Sequence, residues 1–320
     1  MDRVFADDDR RSALHDETFW SLRETPKQLS PKWLYDHEGS LLFDRITRLP
    51  EYYPFRAERS IILERAAEIA GATAAETLVE LGSGTSEKTR LLLDALVAAG
   101  TLRRFVPLDV SEEILRSSAA AIAERYPELA VHAIVGDFER HLAAIPPGRN
   151  RLVAFLGSTI GNLHPEGRLR FLARVAAILD EGDTLLLGVD LVKPADRLRA
   201  AYDDALGLTE RFIRNGLTAV DRELGSSFSS APLDYEATWD PVRSWMDISF
   251  RAREAIRIPV PVLEVEVELA ADEQLRMEVS TKFTRAAVEE ELTAAGLRPT
   301  AWWTDGPGDF ALCLAVPAAG

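Results

Sequence analysis

The 320-residue chain carries 37 Lys and Arg against 52 Asp and Glu, which gives a net charge of −15. An apolar fraction of 47% and a charged fraction of 28% are typical of a globular protein, and they exclude disorder over most of the chain. The length allows one large domain or two modest ones. The acidity argues against nucleic acid as a partner, because a negative surface repels phosphate backbones.

The one cysteine, Cys313, lies in the apolar run of residues 310–316. A single cysteine excludes an intrachain disulfide and a cysteine-based zinc site, and we expect it to be a buried strand residue. Residues 1–10 are acidic and polar, unlike a secretory signal. No apolar stretch reaches the roughly 18 residues that a membrane-spanning helix needs. These features predict a cytoplasmic protein with no membrane partner.

The N-terminal segment mixes short helices with proline-rich turns. Helix is predicted over residues 18–23 and within residues 34–46. In residues 49–54 two tyrosines stand between two prolines, and we expect no regular helix there, because proline lacks an amide donor and restricts its predecessor. Residues 58–70 predict an amphipathic helix that ends near Gly71.

The next part of the chain alternates apolar runs with helical segments. The apolar runs are residues 77–81, 105–110, 130–135, 152–156 and 184–189. The helical segments are residues 86–99 with Ser86 as N-cap, 111–125 and 167–179. Continuous apolar runs are typical of strands buried on both faces, so this alternation predicts a parallel, doubly wound α/β sheet.

The pattern changes after residue 192. Residues 196–224 predict a long helix, with Gly207 and Gly216 as candidate breaks. Residues 259–269 alternate Val and Leu with Glu, which predicts a half-exposed antiparallel strand that pairs with residues 275–283. A helix over residues 284–295 with Thr284 as its cap, and strands over 299–304 and 309–316, are predicted last.

We therefore predict a discontinuous two-domain chain. Residues 56–192 and 282–320 form the doubly wound sheet domain, in which the final strand is antiparallel. Residues 8–55 and 193–281 form a second, α+β domain that binds the substrate. In open α/β sheets the ligand lies beyond the carboxyl ends of the strands.

The strongest local motif is Gly82-Ser83-Gly84, directly after a strand and before a helix. Its glycines let the backbone approach a ligand, and the helix N-terminus offers free amide donors. A dinucleotide fingerprint needs a third glycine where this chain has Lys88, and a phosphate-binding P-loop motif is absent.

Polar residues also follow the next two predicted strands. Asp109 can accept both hydroxyls of a ribose, or it can cap the following helix. Asp137 can accept the exocyclic amine of adenine and Phe138 can stack on its ring, although a loop cap and a core aromatic are the common roles of such residues. The ends of successive strands thus favour an adenosyl ligand, with S-adenosylmethionine preferred to NAD.

Several longer segments carry a resemblance to a known family. They are Y-D-x-x-G-S-x-L-F-D at residues 35–44, LPEYYP at 49–54, LVELGSGTSEKTR at 78–90, FLGSTIGN at 155–162 and E-V-S-x-K-F at 278–283. From about residue 18 to the end, the chain resembles the histidine Nα-methyltransferases of ergothioneine biosynthesis. The resemblance implies transfer of three methyl groups from S-adenosylmethionine to the α-amine of L-histidine, which gives hercynine.

The resemblance also implies residue roles in cofactor binding. Gly82, Lys88, Asp109, Asp137 and Phe138 match the cofactor-binding positions. Lys88 can supply a charge-assisted hydrogen bond to the methionine carboxylate, although a solvated helix residue is its common role.

For the amino acid substrate, the matching positions are Tyr52, Asn162, Tyr202, Glu278 and Ser280. Asn162 can bind the amine or carboxylate end. Glu278 can accept an imidazole N–H, and Ser280, two residues on, shares its face of a strand.

The predicted catalytic residues are Asn162, which orients the amine, and Tyr35, which lies near it. Alone, Asn162 is as readily a helix cap, Glu278 a solvent-facing strand residue, and the tyrosines packing residues. No strong base is needed, because the sulfonium carries a good leaving group.

Two other functions stay open from the sequence. The same fold can methylate another amino acid, such as a tryptophan-type amine, although Glu278 with Ser280 favours imidazole over indole. The second is a protein that binds S-adenosylmethionine without catalysing methyl transfer.

The five histidines do not cluster with acidic residues at ligand spacing, so we predict no metal. We expect a monomer, because no long exposed apolar strip is evident.

Overall fold

The computed structural model describes residues 1–4 and 7–318 of the chain. Within these ranges no helix is both long enough and apolar enough to cross a lipid bilayer.

The strands are numbered in chain order. They are β1 (Asp2–Arg3), β2 (Lys27–Gln28), β3 (Thr77–Leu81), β4 (Arg104–Asp109), β5 (Ala130–Val131), β6 (Ile134–Val135), β7 (Arg151–Phe155), β8 (Thr184–Asp190), β9 (Leu233–Asp240), β10 (Trp245–Ala252), β11 (Ile256–Val260), β12 (Val265–Leu269), β13 (Gln274–Thr281), β14 (Leu297–Thr304) and β15 (Phe310–Pro317).

The α-helices are numbered in the same way. They are α1 (Asp7–Ser21), α2 (His37–Ile46), α3 (Tyr53–Thr73), α4 (Thr89–Ala98), α5 (Glu112–Arg125), α6 (Pro165–Ile178), α7 (Ala195–Tyr202), α8 (Leu208–Leu224) and α9 (Arg285–Ala294). Short 3-10 helices cover Pro31–Leu34, Leu142–Ala144, Thr159–Asn162, Phe228–Ser230 and Pro261–Leu263.

The chain divides into two compact units, each built from separate stretches of sequence. Unit 1 consists of Met1–Phe5, Pro54–Val192 and Lys282–Gly320. Unit 2 consists of Ala6–Tyr53 and Lys193–Thr281. The functional roles that the sequence predicts for such domains stay predictions.

The main sheet of unit 1 has the strand order β1-β6-β4-β3-β7-β8-β15-β14, and β5 pairs with β4. The strands β6, β4, β3, β7 and β8 are parallel. β15 runs antiparallel between β8 and β14. This arrangement confirms the predicted doubly wound sheet with an antiparallel final strand.

Burial explains why the parallel strands of unit 1 could be predicted from the sequence. Every residue of β3, β7 and β8 is buried, as expected where helices cover both faces of a parallel sheet. Cys313 in β15 is fully buried, and this burial raises its thiol pKa to about 12, which confirms a packing role.

Unit 2 has a four-stranded sheet in the order β2-β13-β10-β9 and a separate β11-β12 hairpin. β2 is parallel to β13, and the other pairs of this sheet are antiparallel. The core joins residues of both chain segments, and Leu34 is fully buried in it. Gly216 faces the Leu34 side chain, where any larger residue would press on it. The helix α8 is continuous through Gly216, so the predicted break at that residue is wrong. The predicted break at Gly207 is confirmed, because α8 begins directly after it.

Three predicted helix starts are wrong. The helix α1 covers Asp7–Ser21, so it begins well before residue 18. The helix α3 begins at Tyr53 rather than residue 58, because a proline in the first turn loses no intrahelical hydrogen bond. The helix α4 begins at Thr89, because Ser86 has a left-handed backbone with φ of 51° and its hydroxyl is bound elsewhere. The Thr284 cap is confirmed by its hydrogen bond from the Ala287 amide.

Three strand predictions are wrong or incomplete, two in unit 2 and one in unit 1. Residues 259–269 are not one strand, since β11 and β12 fold back on each other around Pro261–Leu263. β13 pairs with β10 and β2 instead of with that segment. The predicted strand over residues 130–135 is two short pieces, β5 and β6.

Candidate functional site

The residues predicted to bind the cofactor lie along one edge of the unit 1 sheet. The carboxyl ends of β3, β4, β6 and β7 lead into Gly82, Asp109, Asp137 and the loop before Asn162, respectively. Because these strands are parallel, their carboxyl ends share one edge of the sheet, where ligands of open α/β folds bind.

The loop after β3 turns sharply on two glycines. Gly82 and Gly84 have φ angles of 66° and 48°, in the left-handed region that favours glycine. The amides of Gly82 and Ser83 both donate to the carbonyl of Leu108, over 2.8 and 3.2 Å. The loop is thereby tied to the neighbouring strand β4.

Asp109 is held rigidly at the end of β4. Its Oδ2 accepts a hydrogen bond from the Gly84 amide, and its Oδ1 accepts one from the Ser111 amide, both at 2.8 Å. A carboxylate can accept hydrogen bonds from ribose hydroxyls. These two hydrogen bonds fix the Asp109 carboxylate at the position predicted to bind the ribose.

Ser83 provides a test of whether the loop suits a polar ligand. Its Oγ is buried and has no hydrogen-bond partner within the described part of the chain. A buried hydroxyl without a partner costs about 1–3 kcal/mol. An amino acid portion of a ligand at this loop would satisfy it, so the residues fit S-adenosylmethionine.

Asp137 and Phe138 follow β6. Asp137 is 9% exposed, and its Oδ1 accepts from the Glu139 amide at 2.8 Å. The Phe138 ring meets those of Phe155 and Phe171 edge-on, with centroids 5.1 and 5.7 Å away. Phe138 is half-buried in this aromatic cluster, so its predicted stacking on adenine stays a prediction.

Lys88 is not the solvated helix residue of the alternative prediction. Its side chain is 14% exposed and pairs with Glu58 on α3, whose side chain is fully buried. Glu58 is a functional candidate that the sequence motifs do not include, although a carboxylate within the apolar periodicity of residues 58–70 is a signal for it.

A second buried carboxylate, Glu80 of β3, is bound to the residues that follow the glycine loop. It accepts hydrogen bonds from the hydroxyls of Thr89 and Ser86, the latter over 3.0 Å. Burial raises the pKa of Glu80 to about 7, and the nearby Asp109 adds to this, whereas the two hydroxyls and Lys88 oppose it.

Asn162 closes a strained loop after β7. Gly157 and Ser158 both have left-handed backbones, and the Ser158 carbonyl accepts from the Gly161 amide at 2.8 Å. The Asp190 amide donates to Ser158 Oγ over 2.9 Å and ties the loop to β8. The Asn162 side chain is half-buried and makes no hydrogen bond to the described residues. Its amide is therefore open to a ligand, and the cap role is not observed.

In unit 2 the predicted substrate residues Tyr202 and Ser280 come together. Tyr202 ends α7 and Ser280 lies in β13, and their hydroxyl oxygens are 2.8 Å apart. Glu278 lies two residues before Ser280, beside a register shift between β10 and β13. Such bulges are frequent beside active sites because they re-aim side chains.

Tyr235 of β9 completes this cluster and was missed in the sequence. Its hydroxyl donates to the Tyr202 carbonyl over 2.5 Å. Burial raises its pKa well above the ordinary value, and the charge of Glu278 contributes next. No local pattern identified Tyr235, because β9 itself was not predicted.

Tyr35 and Tyr52 lie around one aromatic ring of unit 2. Each packs edge-on against Phe43, with centroids 5.7 and 6.0 Å away, respectively. Tyr35 also meets Phe212 at 5.5 Å. Their predicted roles toward the amine and the imidazole ring stay predictions.

Similarity to known proteins decides the family. The profile of the family described as "Histidine-specific methyltransferase, SAM-dependent" matches residues 14–317. The chain belongs to this family. The methyltransferase thus uses S-adenosylmethionine, which confirms the predicted cofactor. Among the described residues of this methyltransferase, no three His, Cys, Asp or Glu side chains are grouped as metal ligands.

Several relatives are similar over most of the methyltransferase. The "Histidine N-alpha-methyltransferase" of Mycolicibacterium smegmatis is 52% identical over 311 residues, which cover 97% of each chain. The protein of the same name from Mycobacterium tuberculosis is 51% identical over 95% of each chain. The "Ergothioneine biosynthesis protein 1" of Neurospora crassa is 31% identical over 89% of this chain and 32% of its own length.

Proposed function

We propose that this chain transfers methyl groups from S-adenosylmethionine to the α-amine of L-histidine, three times in succession, in ergothioneine biosynthesis. The observation that carries the proposal is the 52% identity to a histidine N-alpha-methyltransferase along nearly the full length of both chains. We propose further that the enzyme is a cytoplasmic monomer.

The geometry of unit 1 supports binding of the methyl donor. The fixed carboxylate of Asp109 suits a ribose. The buried Ser83 hydroxyl has no partner among residues 1–4 and 7–318, and it suits the methionine end. Gly82, Lys88, Asp137 and Phe138 are the further residues that we assign to this ligand.

The polar cluster of unit 2 supports recognition of an imidazole. Ser280 and Tyr202 are 4% and 8% exposed, so a ligand ring here would be largely removed from water. Glu278 accepts a ring N–H and Ser280 and Tyr202 supply hydroxyls, which together satisfy a ring with two nitrogens. An indole offers one N–H and a larger apolar area, so this cluster favours histidine over tryptophan. Tyr52 is assigned to the same ring.

The protein has little bond chemistry of its own to perform. The sulfonium of the bound donor supplies an activated methyl group and a good leaving group. Asn162 is assigned to orient the neutral α-amine in line with the methyl, and Tyr35 is the second residue assigned to the amine. The amine proton is released to solvent, so no strong base is assigned.

The direct test is mass spectrometry of the purified enzyme with S-adenosylmethionine and an equimolar mixture of the twenty amino acids. We expect histidine mass shifts of one, two and three methyl groups, with the trimethylated form accumulating. Reactions without enzyme control for spontaneous methylation. Methylation of tryptophan or another amino acid in place of histidine would contradict the proposal.

Replacing Asn162 by alanine is expected to lower kcat/KM for histidine about 10-fold, the loss of roughly one hydrogen bond in the transition state. Steady-state kinetics with saturating S-adenosylmethionine measures it. Asn150→Gly is the matched control, because Asn150 precedes β7 at the opposite edge of the sheet and has a left-handed backbone that glycine keeps. Unchanged turnover by the Asn162→Ala enzyme would refute the orienting role.

Replacing Tyr202 by phenylalanine removes the hydroxyl that bonds Ser280 and leaves the ring in place. We expect KM for histidine to rise about 5-fold, in line with about 1 kcal/mol for one neutral hydrogen bond. The dissociation constant of S-adenosylhomocysteine should not change. Tyr126→Phe, which removes a hydrogen bond to Asp94 in unit 1, should leave both constants unchanged.

A further inference from the structure

Glu58 is a buried carboxylate beside the cofactor edge, and neither the sequence motifs nor the proposed function assigns it a role. It lies on α3 in unit 1 and its side chain is fully buried. The Gly157 amide donates to both of its oxygens, over 2.8 Å to Oε1 and 3.0 Å to Oε2. The Lys88 ammonium donates to Oε2. One carboxylate therefore joins two groups that the chain brings from different strand ends.

The neighbouring backbone leaves space for this carboxylate. Gly188 of β8 faces it, and any side chain at Gly188 would overlap Oε1. The absence of a side chain at Gly188 therefore leaves the space that the Glu58 carboxylate occupies. An acid in such a place is costly unless it is paired, because removing a carboxylate from water costs several kcal/mol.

Each partner of Glu58 is connected to a residue that we assign to a ligand: Lys88 is one of them, and Gly157 belongs to the loop that carries Asn162. Lys88 is only 14% exposed, and its ammonium lies 5.2 Å from the centre of the Phe55 ring. A long, flexible lysine side chain is thereby confined to one direction. Gly157 begins the left-handed turn whose far end is Asn162.

We propose that Glu58 is a positioning residue of the methyltransferase, which fixes the Lys88 ammonium for the carboxylate of S-adenosylmethionine and fixes the loop that carries Asn162. The assignment rests on the proposed function, since it takes Lys88 to be a cofactor residue. Glu58 itself touches neither ligand. Its effect on the cofactor passes through Lys88, and its effect on the acceptor amine passes through Gly157.

An isosteric glutamine cannot replace Glu58 in this role. A carboxylate accepts from both donors at once, whereas a glutamine amide has one acceptor oxygen and one NH2 group. Whichever way the amide is turned, its NH2 faces either the Lys88 ammonium or the Gly157 amide. With its oxygen at the Oε2 position the glutamine still accepts from both donors, but its NH2 group then faces the Gly157 amide. In either orientation Lys88 loses its countercharge.

The test is the affinity of the Glu58→Gln enzyme for S-adenosylhomocysteine, measured by isothermal titration calorimetry without any acceptor. We expect about 10-fold to 100-fold weaker binding, the cost of a charge-assisted contact. Because no amino acid is present, this outcome does not depend on whether histidine is the true acceptor. An affinity within about threefold of the native value would overturn the proposal.

A matched control separates positioning from stability. Asp183 is 1% exposed, pairs with the buried Arg151, and accepts the Arg151 amide at 2.6 Å. Asp183 precedes β8 and Arg151 begins β7, so this buried pair lies at the amino ends of the strands, away from the residues that Glu58 joins. Asp183→Asn should lower the melting temperature as Glu58→Gln does and leave the affinity for S-adenosylhomocysteine unchanged. Equal losses of affinity in both variants would mean that Glu58 is only structural.

A double variant tests whether Glu58 acts through Lys88, and it also serves if Glu58→Gln alone does not fold. Glu58→Gln with Lys88→Met removes both charges, which buried pairs tolerate better than the loss of one partner. We expect the double variant to bind S-adenosylhomocysteine as weakly as Lys88→Met alone, with no further loss. A further loss above about threefold would show that Glu58 acts on the cofactor without Lys88 and would overturn this assignment.

Discussion

Replacing Glu278 by alanine is expected to lower kcat/KM for L-histidine by about 100-fold, the largest effect on activity among the substrate residues. In the proposed complex Glu278 accepts an imidazole N–H within a cluster that Tyr202, Ser280 and Tyr235 shield from water. Without the Glu278 carboxylate, the imidazole N–H is removed from water and has no hydrogen-bond acceptor in the proposed complex. The affinity for S-adenosylhomocysteine should stay unchanged, because Glu278 belongs to unit 2 and the cofactor residues to unit 1.

The control for this variant is Glu266→Ala, since Glu266 is an exposed strand glutamate of the same unit. It should retain native kinetics. Competition between histidine and tryptophan adds a second measurement, because loss of the carboxylate should reduce the preference for histidine. A Glu278→Ala enzyme with native kcat/KM would refute the assignment of Glu278 to the imidazole.

Replacing Glu80 by glutamine is expected to alter how the stability of the enzyme depends on pH. The pKa of Glu80 is about 7 in the folded chain, mainly because of burial, against an ordinary 4.5. Between these values the folded state keeps a proton that the unfolded state has lost. The free energy of unfolding therefore falls as pH rises through this window, by about 3 kcal/mol in total. The glutamine variant lacks this decrease, so relative to the native chain it should gain about 2 kcal/mol or slightly more between pH 5 and pH 8.

Urea unfolding of both proteins at several pH values measures this difference. Titration of the groups that do not interact with Glu80 is common to the two proteins and cancels. The Asp94→Asn enzyme is a control, since Asp94 is an exposed carboxylate of the same unit. Parallel stability curves for the native and Glu80→Gln proteins would contradict the raised pKa.

The buried parallel strands were predictable because each one carries its own signal. β3, β7 and β8 are buried on both faces, so their residues are apolar without interruption. Where a strand is half-exposed or short, the pattern does not specify its partner. β1 has two exposed residues, and the Val-Glu alternation of β12 is equally compatible with pairing to β11 or β13.

The same reasoning separates the predicted from the missed site residues. Asp109 was found because a carboxylate at the end of a parallel strand has a known location relative to its neighbours. Glu58 and Tyr235 were missed because their partners, Lys88 and Tyr202, are distant in sequence and nothing local marks the contact. For Glu80, the motif was visible, but the burial that raises its pKa comes from the assembled sheet.

The position of two late strands has a consequence for how the chain folds on the ribosome. β2 pairs with β13, and β15 inserts between β8 and β14. At about 5–20 residues per second, roughly 250 residues separate β2 from its partner by some 10 to 50 seconds of synthesis. The apolar residues of the segment 27–53 are therefore synthesised long before the strands of unit 2 that cover them. The sheet of each unit is complete only when nearly all of the chain has been translated. Shielding of this nascent segment, by a chaperone or a solubilising N-terminal fusion, should therefore raise the yield of native enzyme more than the same treatment at the opposite terminus.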